Sequence, residues 1–131
     1  MIKYVKLLII VFTIILSGYF SYQNILMVQK VGDVVKVDGI MNIGSTYGVF
    51  FVALGSLSGS LALTFNLPLP ILNEKSILFV LIIMAPIFTY MTDNQIQKNL
   101  EGYIECTSKN TNTLRYSNRT YVISPELCKG Q

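Results

Sequence analysis

The stretch Thr46–Phe65, TYGVFFVALGSLSGSLALTF, is twenty residues long and carries no charged side chain. Soluble helices rarely collect so many small residues, because each interior glycine costs about 1 kcal/mol relative to alanine. In lipid, small residues instead let two helix backbones approach closely. The stretch therefore predicts a central transmembrane helix with one small face that packs against a neighbour. The residues of that face are Gly55, Ser56, Gly59 and Ser60.

The composition of the whole chain indicates a membrane protein. Of its 131 residues, 52% are hydrophobic and 13% are charged, whereas soluble domains average about 25% charged residues. The net charge of +3 is spread thinly, without the run of lysines and arginines that is typical of a nucleic-acid-binding surface. The chain has no histidine, which is the usual general base and the commonest metal ligand. We expect contact with membrane lipid, and neither a nucleic-acid partner nor a cofactor or metal.

Two further apolar runs, at 5–22 and 76–92, complete a predicted domain of three transmembrane helices over residues 1–92. The first run can be read as a cleaved signal peptide or as an uncleaved helix. Bulky residues follow Gly18, where a cleavage site needs small ones, and this favours the uncleaved helix. Pro86 lies inside the third run and predicts a kink that a neighbouring helix supports.

The Gly55-x-x-x-Gly59 spacing has two interpretations. It is a weak signal for a homodimer, and it equally suits close contact with another helix of the same chain. Because the chain offers two such helices, with Pro86 in one of them, contact within the chain is favoured over homodimerisation.

Between the first two spans, residues 23–45 form a connector with an extended, β-branched segment around Val35 and Val37. Asp38-Gly39 is a turn signal. An extended segment cannot face lipid, because its backbone groups would lack hydrogen-bond partners there. We expect it in water or against the C-terminal tail. The opposite connection, at 66–75, is expected to be a short loop.

The polar tail, residues 93–131, contains the only two cysteines, Cys106 and Cys128. Two cysteines without histidine make a poor zinc site, so a disulfide is the better interpretation. A disulfide needs an oxidising compartment. Residues 93–101 are expected to continue the third helix into water, and Glu101 and Glu105 are spaced as on a solvated helix face.

Inside the cysteine loop, the arms 114–116 and 120–123 flank Ser117-Asn118 and predict a β-hairpin. The predicted fold is therefore an all-α membrane protein with three transmembrane helices and a small, disulfide-stapled β-hairpin tail outside the membrane. Tyrosine and arginine are favoured in binding hot spots. The candidate partner-binding residues are Tyr103, Arg115, Tyr116, Arg119 and Tyr121. Equally, the tyrosines are suited to hold the hairpin against the membrane surface or the connector.

The cysteines also set the expected orientation. Three spans place the termini on opposite sides, and a disulfide puts the tail outside, so the N-terminus is expected in the cytoplasm. The lysines and arginines near the helix ends are evenly divided and favour neither orientation.

The sequence argues against an enzyme. Ser58, within Gly-Ser-Leu-Ser-Gly, has no histidine to activate it. None of the three span interiors contains the ionisable groups that mark ion paths and proton relays. A small membrane-embedded enzyme would have to rely on the few carboxylates near the interface, and we rank it last among the functions considered.

The segment from Gly102 to Cys128, with Gly-Tyr-Ile-x-Cys early and Arg-Thr-Tyr-Val before the last cysteine, resembles small uncharacterised inner-membrane proteins of enterobacteria. In size and topology the chain also resembles polytopic immunity proteins that protect bacteria from membrane-targeting or envelope-acting toxins. The resemblance implies a non-enzymatic inner-membrane protein with a protein partner. The alternative is an accessory subunit that docks in a larger membrane complex through the Gly55/Gly59 face.

Overall fold

The computed structural model describes residues 1–29, 32–66, 74–113 and 116–129. Three helices, each long and apolar enough to cross a membrane, account for most of the chain. They are α1 (Ile2–Gln29), α2 (Ile40–Phe65) and α3 (Glu74–Asn99). The multi-pass helical architecture expected from the sequence is confirmed. Most of the expected loop at 66–75 lies outside the described residues, and so does Arg115.

The helices are longer than the apolar runs that predict them. Helix α2 begins six residues before Thr46, because the Gly39 carbonyl accepts the backbone N–H groups of Asn42 and Ile43 at 2.9 and 3.2 Å. It ends at Asn66, whose left-handed backbone (φ 51°) lets its N–H group return to the Ala62 carbonyl. Helix α3 continues past the apolar run to Asn99, as expected from its polar end, and Pro86 lies inside it.

Helix α2 is the central helix and packs against both α1 and α3. Among the described glycines of the helices, those with a close neighbour lie towards the sheet. A Cβ atom added at Gly18 of α1 would lie 3.3 Å from the Phe50 ring of α2, and one added at Gly44 of α2 would lie 3.4 Å from Thr89 of α3. A Cβ at Gly59 would meet no atom within 4 Å. The described residues therefore leave space beside Gly59, and the expected packing through Gly55, Ser56, Gly59 and Ser60 stays a prediction.

Four short strands form one antiparallel sheet at the end of the bundle. They are β1 (Val34–Asp38), β2 (Ile104–Glu105), β3 (Thr111–Asn112) and β4 (Ser117–Val122). Strand β4 is central: it pairs with β1 on one edge and with β2 and β3 on the other. The extended connector thus lies against the tail, as expected from its unsatisfied backbone groups.

The predicted position of the hairpin turn is wrong. Ser117 and Asn118 lie inside β4, where they pair with Asn112 and Thr111 of β3, so the turn comes before Ser117. Leu114 of the expected first arm, like Arg115, lies outside the described residues. The cause is β1, which pairs along β4 and places Asp38 opposite Asn118. A local hairpin interpretation leaves out this partner, which is distant in sequence.

A hydrophobic core joins the sheet to the helix ends. One face of the sheet supplies Val35, Val37 and Tyr121, and the helices supply residues from the start of α2 and the end of α3. Within this region the Tyr47 and Thr92 hydroxyls form a buried hydrogen bond of 2.8 Å between α2 and α3. The sheet and the helix ends are therefore one packed unit. The buried core residues are Val35, Val37, Ile43, Tyr47, Ile96, Leu100 and Tyr121.

The disulfide lies beside β4, whose opposite face is buried near its end. Cys106 and Cys128 are bonded, with Cα atoms 5.7 Å apart, which confirms the expected disulfide. The Cys106 N–H group also donates to the Thr120 carbonyl at 2.8 Å. Thr120 and Val122, which alternate with Tyr121, are almost fully buried. Both faces of β4 are thus covered over Thr120–Val122, and this explains why these three residues do not alternate between buried and exposed positions.

Candidate functional site

A polar cleft of about 460 Å³ lies between the inner face of the sheet, the start of α2 and the end of α3. Three carboxylates and one guanidinium line it, together with several amide side chains and the edge of Tyr121. The charged residues are Asp38, Asp93, Glu105 and Arg119; the amides are Gln97, Asn110, Asn112 and Asn118.

Strand register explains how residues distant in sequence meet in this cleft. Arg119 pairs with Val37 and Glu105 pairs with Tyr121, so all four side chains share the inner face of the sheet. Asp93 approaches from α3, with Gln97 one helical turn further along the same face. The core described above fixes these two elements relative to each other. The cleft is therefore built before any ligand arrives.

The cleft is acidic, although the chain as a whole is basic. Three carboxylates against one guanidinium leave an excess of negative charge in the cleft, whereas the net charge of the chain is +3. The Tyr121 side chain and the carboxylates of Glu105 and Asp93 raise the pKa of Arg119, which keeps this group charged. Such a site attracts cationic or donor-rich groups and can hold one carboxylate at Arg119.

Amide hydrogen bonds hold the wall of the cleft. Asn110 donates from Nδ2 to Glu105 Oε1 at 2.7 Å and accepts the Thr120 N–H group at Oδ1 at 2.9 Å. The Asn118 Oδ1 atom accepts the Thr111 N–H group at 3.1 Å. These bonds orient Glu105 and connect the strands beside it. The cleft is thus preorganised for recognition, and its polar groups are positioned by backbone as well as side-chain partners.

In the described part of the chain, no group of three or more histidine, cysteine, aspartate or glutamate residues is arranged to hold a metal ion. Ser58, the serine considered as a nucleophile, donates its hydroxyl to the Gly55 carbonyl at 2.8 Å inside α2. Its hydrogen bond is therefore that of an ordinary helix serine.

The structure separates the tyrosines proposed for partner binding. Tyr121 is 8% exposed and belongs to the core, so most of it is unable to contact a partner. Tyr103 is half-buried against the same core and donates to the Gly32 carbonyl at 3.0 Å. Tyr116 is 45% exposed and donates to Asp38 Oδ1 at 2.7 Å. Two of the three tyrosines therefore attach the tail to the connector, whereas Arg119 remains exposed in the cleft.

Sequence reasoning missed Glu105 and Asn110. Glu105 was expected on a solvated helix face with Glu101, but α3 ends at Asn99 and Glu105 lies in β2. The chain turns between them at Gly102, whose φ of 93° suits glycine. That glycine, followed by Tyr-Ile, is the local signal that ends the helix and starts a strand.

The chain matches no protein-family model, no curated protein and no solved structure.

Proposed function

We propose that the chain is a non-enzymatic membrane protein whose extramembrane sheet binds a basic segment of another protein in the polar cleft. In its most concrete form, it is an immunity protein of the bacterial inner membrane that neutralises a membrane-targeting or envelope-acting toxin. The acidic character of the cleft on an otherwise basic chain is the observation that carries this proposal.

Three features support a protein partner. The cleft is open beside the bundle end, its charged groups come from separate elements, and Arg119 adds a site for a carboxylate among acceptors for cations. A binding surface with charges of both signs selects partners by complementarity. A packed core holds the cleft in shape, so little ordering is needed on binding.

The disulfide supports a position outside the cytoplasm. Disulfides persist in oxidising compartments such as the bacterial periplasm, so the sheet is proposed to face that side and the N-terminus the cytoplasm. The cleft then lies at the outer surface of the membrane. A toxin that arrives from outside reaches the cleft before it enters the bilayer.

The test is protection of a host that expresses this chain together with the toxin encoded by a neighbouring gene. Asp93→Asn with Glu105→Gln removes two cleft charges with little change in shape, and we expect protection to fall by at least about tenfold. Asp33→Asn is the matched control, because Asp33 is exposed and lies outside the cleft. If the double variant and the Asp33→Asn control are present in the membrane in equal amounts and protect equally well, the cleft is excluded as the binding site.

A second function, an accessory subunit of a membrane complex, is favoured by the open side of α2. Gly59 has free space where a Cβ would lie, and Ser56 one turn earlier is exposed. Gly59→Leu is expected to release a helix that docks there, or to dissociate a homodimer, as measured by cross-linking in membranes. Leu54→Phe, at an exposed position on the other side of α2, is the control, because five residues place it about 140° around the helix from Gly59. An unchanged cross-linking pattern in Gly59→Leu would remove this alternative.

A further inference from the structure

A lateral groove runs along the interface of α1 and α2, away from the polar cleft except at Asp38. It consists of two cavities that share Thr13 and Val49. The upper cavity, about 620 Å³, extends to Asp38 and Tyr116 beside the sheet. The lower cavity, about 430 Å³, is almost entirely apolar and lies over Gly48, where a Cβ atom would meet nothing within 4 Å.

The polar and apolar parts of the groove match the depth of a bilayer. Asn24 follows the apolar span 5–22, and Asn42 precedes the span 46–65, so both lie at head-group level. From Thr46 to Ser56 the groove extends about 15 Å at 1.5 Å per residue, which is half of a hydrocarbon core of roughly 30 Å. The groove therefore spans one leaflet, with its polar end at the membrane surface on the side of the sheet.

The polar end is rich in hydrogen-bond acceptors. Asn24 donates from Nδ2 to Thr46 Oγ1 at 3.0 Å, and Asn42 donates from Nδ2 to the Ser117 carbonyl at 3.1 Å. Each bond uses one of the two N–H groups of the amide and leaves the amide oxygen as an acceptor. Asp38 is the one charged residue among those that line either cavity in the described part of the chain.

Tyr116 orients that carboxylate. Its hydroxyl donates to Asp38 Oδ1 at 2.7 Å. This hydrogen bond and, second, burial raise the pKa of Tyr116, so the phenol keeps its proton and continues to donate at neutral pH. Among the described residues, no lysine or arginine lines the groove, so the Asp38 carboxylate at its end attracts a cation that carries N–H donors and disfavours a purely anionic group.

We propose that this groove binds one phospholipid with a primary ammonium head group. The ammonium group donates to Asp38 and to the neighbouring amide oxygens, and one acyl chain occupies the space between Thr13 and Ser56. The lipid is a ligand of the transmembrane helices and is distinct from the protein partner proposed for the cleft.

The test uses the full chain, purified in mild detergent and incubated with equal amounts of phosphatidylethanolamine, phosphatidylcholine and phosphatidylglycerol of identical acyl chains. Native mass spectrometry then counts the lipid that each protein retains. We expect phosphatidylethanolamine to be retained about tenfold over each of the other two, the ratio that one hydrogen bond to a charged group supplies. Phosphatidylcholine tests the N–H donors, because its head group is cationic but has none.

Two variants, each with a matched control, separate head-group recognition from binding of the acyl chain. Asp38→Asn is expected to bring the three lipids to equal retention, and Asp33→Asn to keep the preference. Gly48→Phe fills the lower cavity and is expected to reduce retention of every lipid, whereas Leu54→Phe adds the same ring on an exposed position outside the groove. Formation of the disulfide in each variant shows that the sheet has folded.

Three results would overturn the proposal. The first is equal retention of all three lipids by the unmodified chain, and the second is a preference for phosphatidylglycerol. The third is a lipid-free dimer that Gly48→Phe dissociates, because a second copy would then occupy the groove.

Discussion

The half of the molecule that contains the sheet differs from the far half of the helix bundle in how its side chains are buried. Every described residue that is buried lies in the sheet-side half, which comprises residues 17–29, 32–53 and 89–129. In the far half, residues 2–16, 54–66 and 79–88, described side chains are exposed or only partly covered, although most are apolar. The same three helices therefore pack tightly at one end and open at the other.

The difference follows from the solvent that each half meets. The sheet is polar backbone in water, so it must bury an apolar face, and that face lies against the helix ends. In a bilayer, apolar side chains have no comparable reason to leave the lipid, and helices associate through close contact of small residues. The interactions that stabilise the fold are thus found mainly beside the sheet. Further from the sheet, the same helices pack less closely and leave grooves between them.

The largest expected effect comes from a cavity in the sheet-side half. Ile43 of α2 lies in the hydrophobic core and is 0% exposed, whereas Leu63 of the same helix is 70% exposed. Ile43→Ala should lower the free energy of unfolding by about 2–5 kcal/mol, because the fixed surroundings leave a cavity. Leu63→Ala should change it by less than about 0.5 kcal/mol. Unfolding in micelles, followed by helicity, measures both, and equal losses would contradict the difference between the halves.

The disulfide gives the next largest effect. Replacing Cys106 and Cys128 together by serine should destabilise the sheet by about 3 kcal/mol, the chain-entropy value for a loop with a sequence separation of 22. Because Tyr47 and Thr92 still connect α2 to α3, we expect the helices to persist. Helicity and proteolysis of the tail are measured in the double serine variant and in the disulfide-bonded protein. Loss of helicity in step with tail cleavage would show that the two halves unfold as one unit.

The disulfide also supplies a test of orientation. In intact cells, a membrane-impermeant maleimide should label the tail only after an impermeant reductant has opened the Cys106–Cys128 bond. Labelling without reductant would contradict the disulfide. Labelling that requires permeabilised cells as well as reductant would place the sheet on the cytoplasmic side and remove the proposed periplasmic site.

The sequence predicts the elements that depend on local pattern. Uninterrupted apolar runs predict the three helices, β-branched residues predict β1, and the cysteine count predicts the disulfide. The sequence also predicts that β1 lies in water or against the tail, because backbone hydrogen bonding forbids it in lipid. These features need only neighbouring residues and the physics of the solvent.

Local sequence does not predict the residues of the cleft, because the cleft depends on pairing between segments that are distant in the chain. The position of Asn118 in a strand follows from its pairing with Asp38, and that register also turns Arg119 into the cleft. Arg119 and Tyr121 share one face of β4, yet one is exposed in the cleft and the other is in the core. Local sequence cannot separate these outcomes, since they depend on where the ends of α2 and α3 lie.

The smallest expected effect is the difference in stability between a glycine-to-alanine change in the far half and one in the sheet-side half. Gly59→Ala places a methyl group in open space and replaces a poor helix former, so stability should rise by up to about 1 kcal/mol. Gly18→Ala has the same gain in helix propensity, but its Cβ would lie 3.3 Å from the Phe50 ring, which must move. The increase in stability should therefore be smaller than for Gly59→Ala, or negative. Unfolding of both variants in micelles measures the difference. A loss of stability in Gly59→Ala would mean that this face is occupied in the assembled protein, and it would favour docking through α2 over the cleft as the route to a partner.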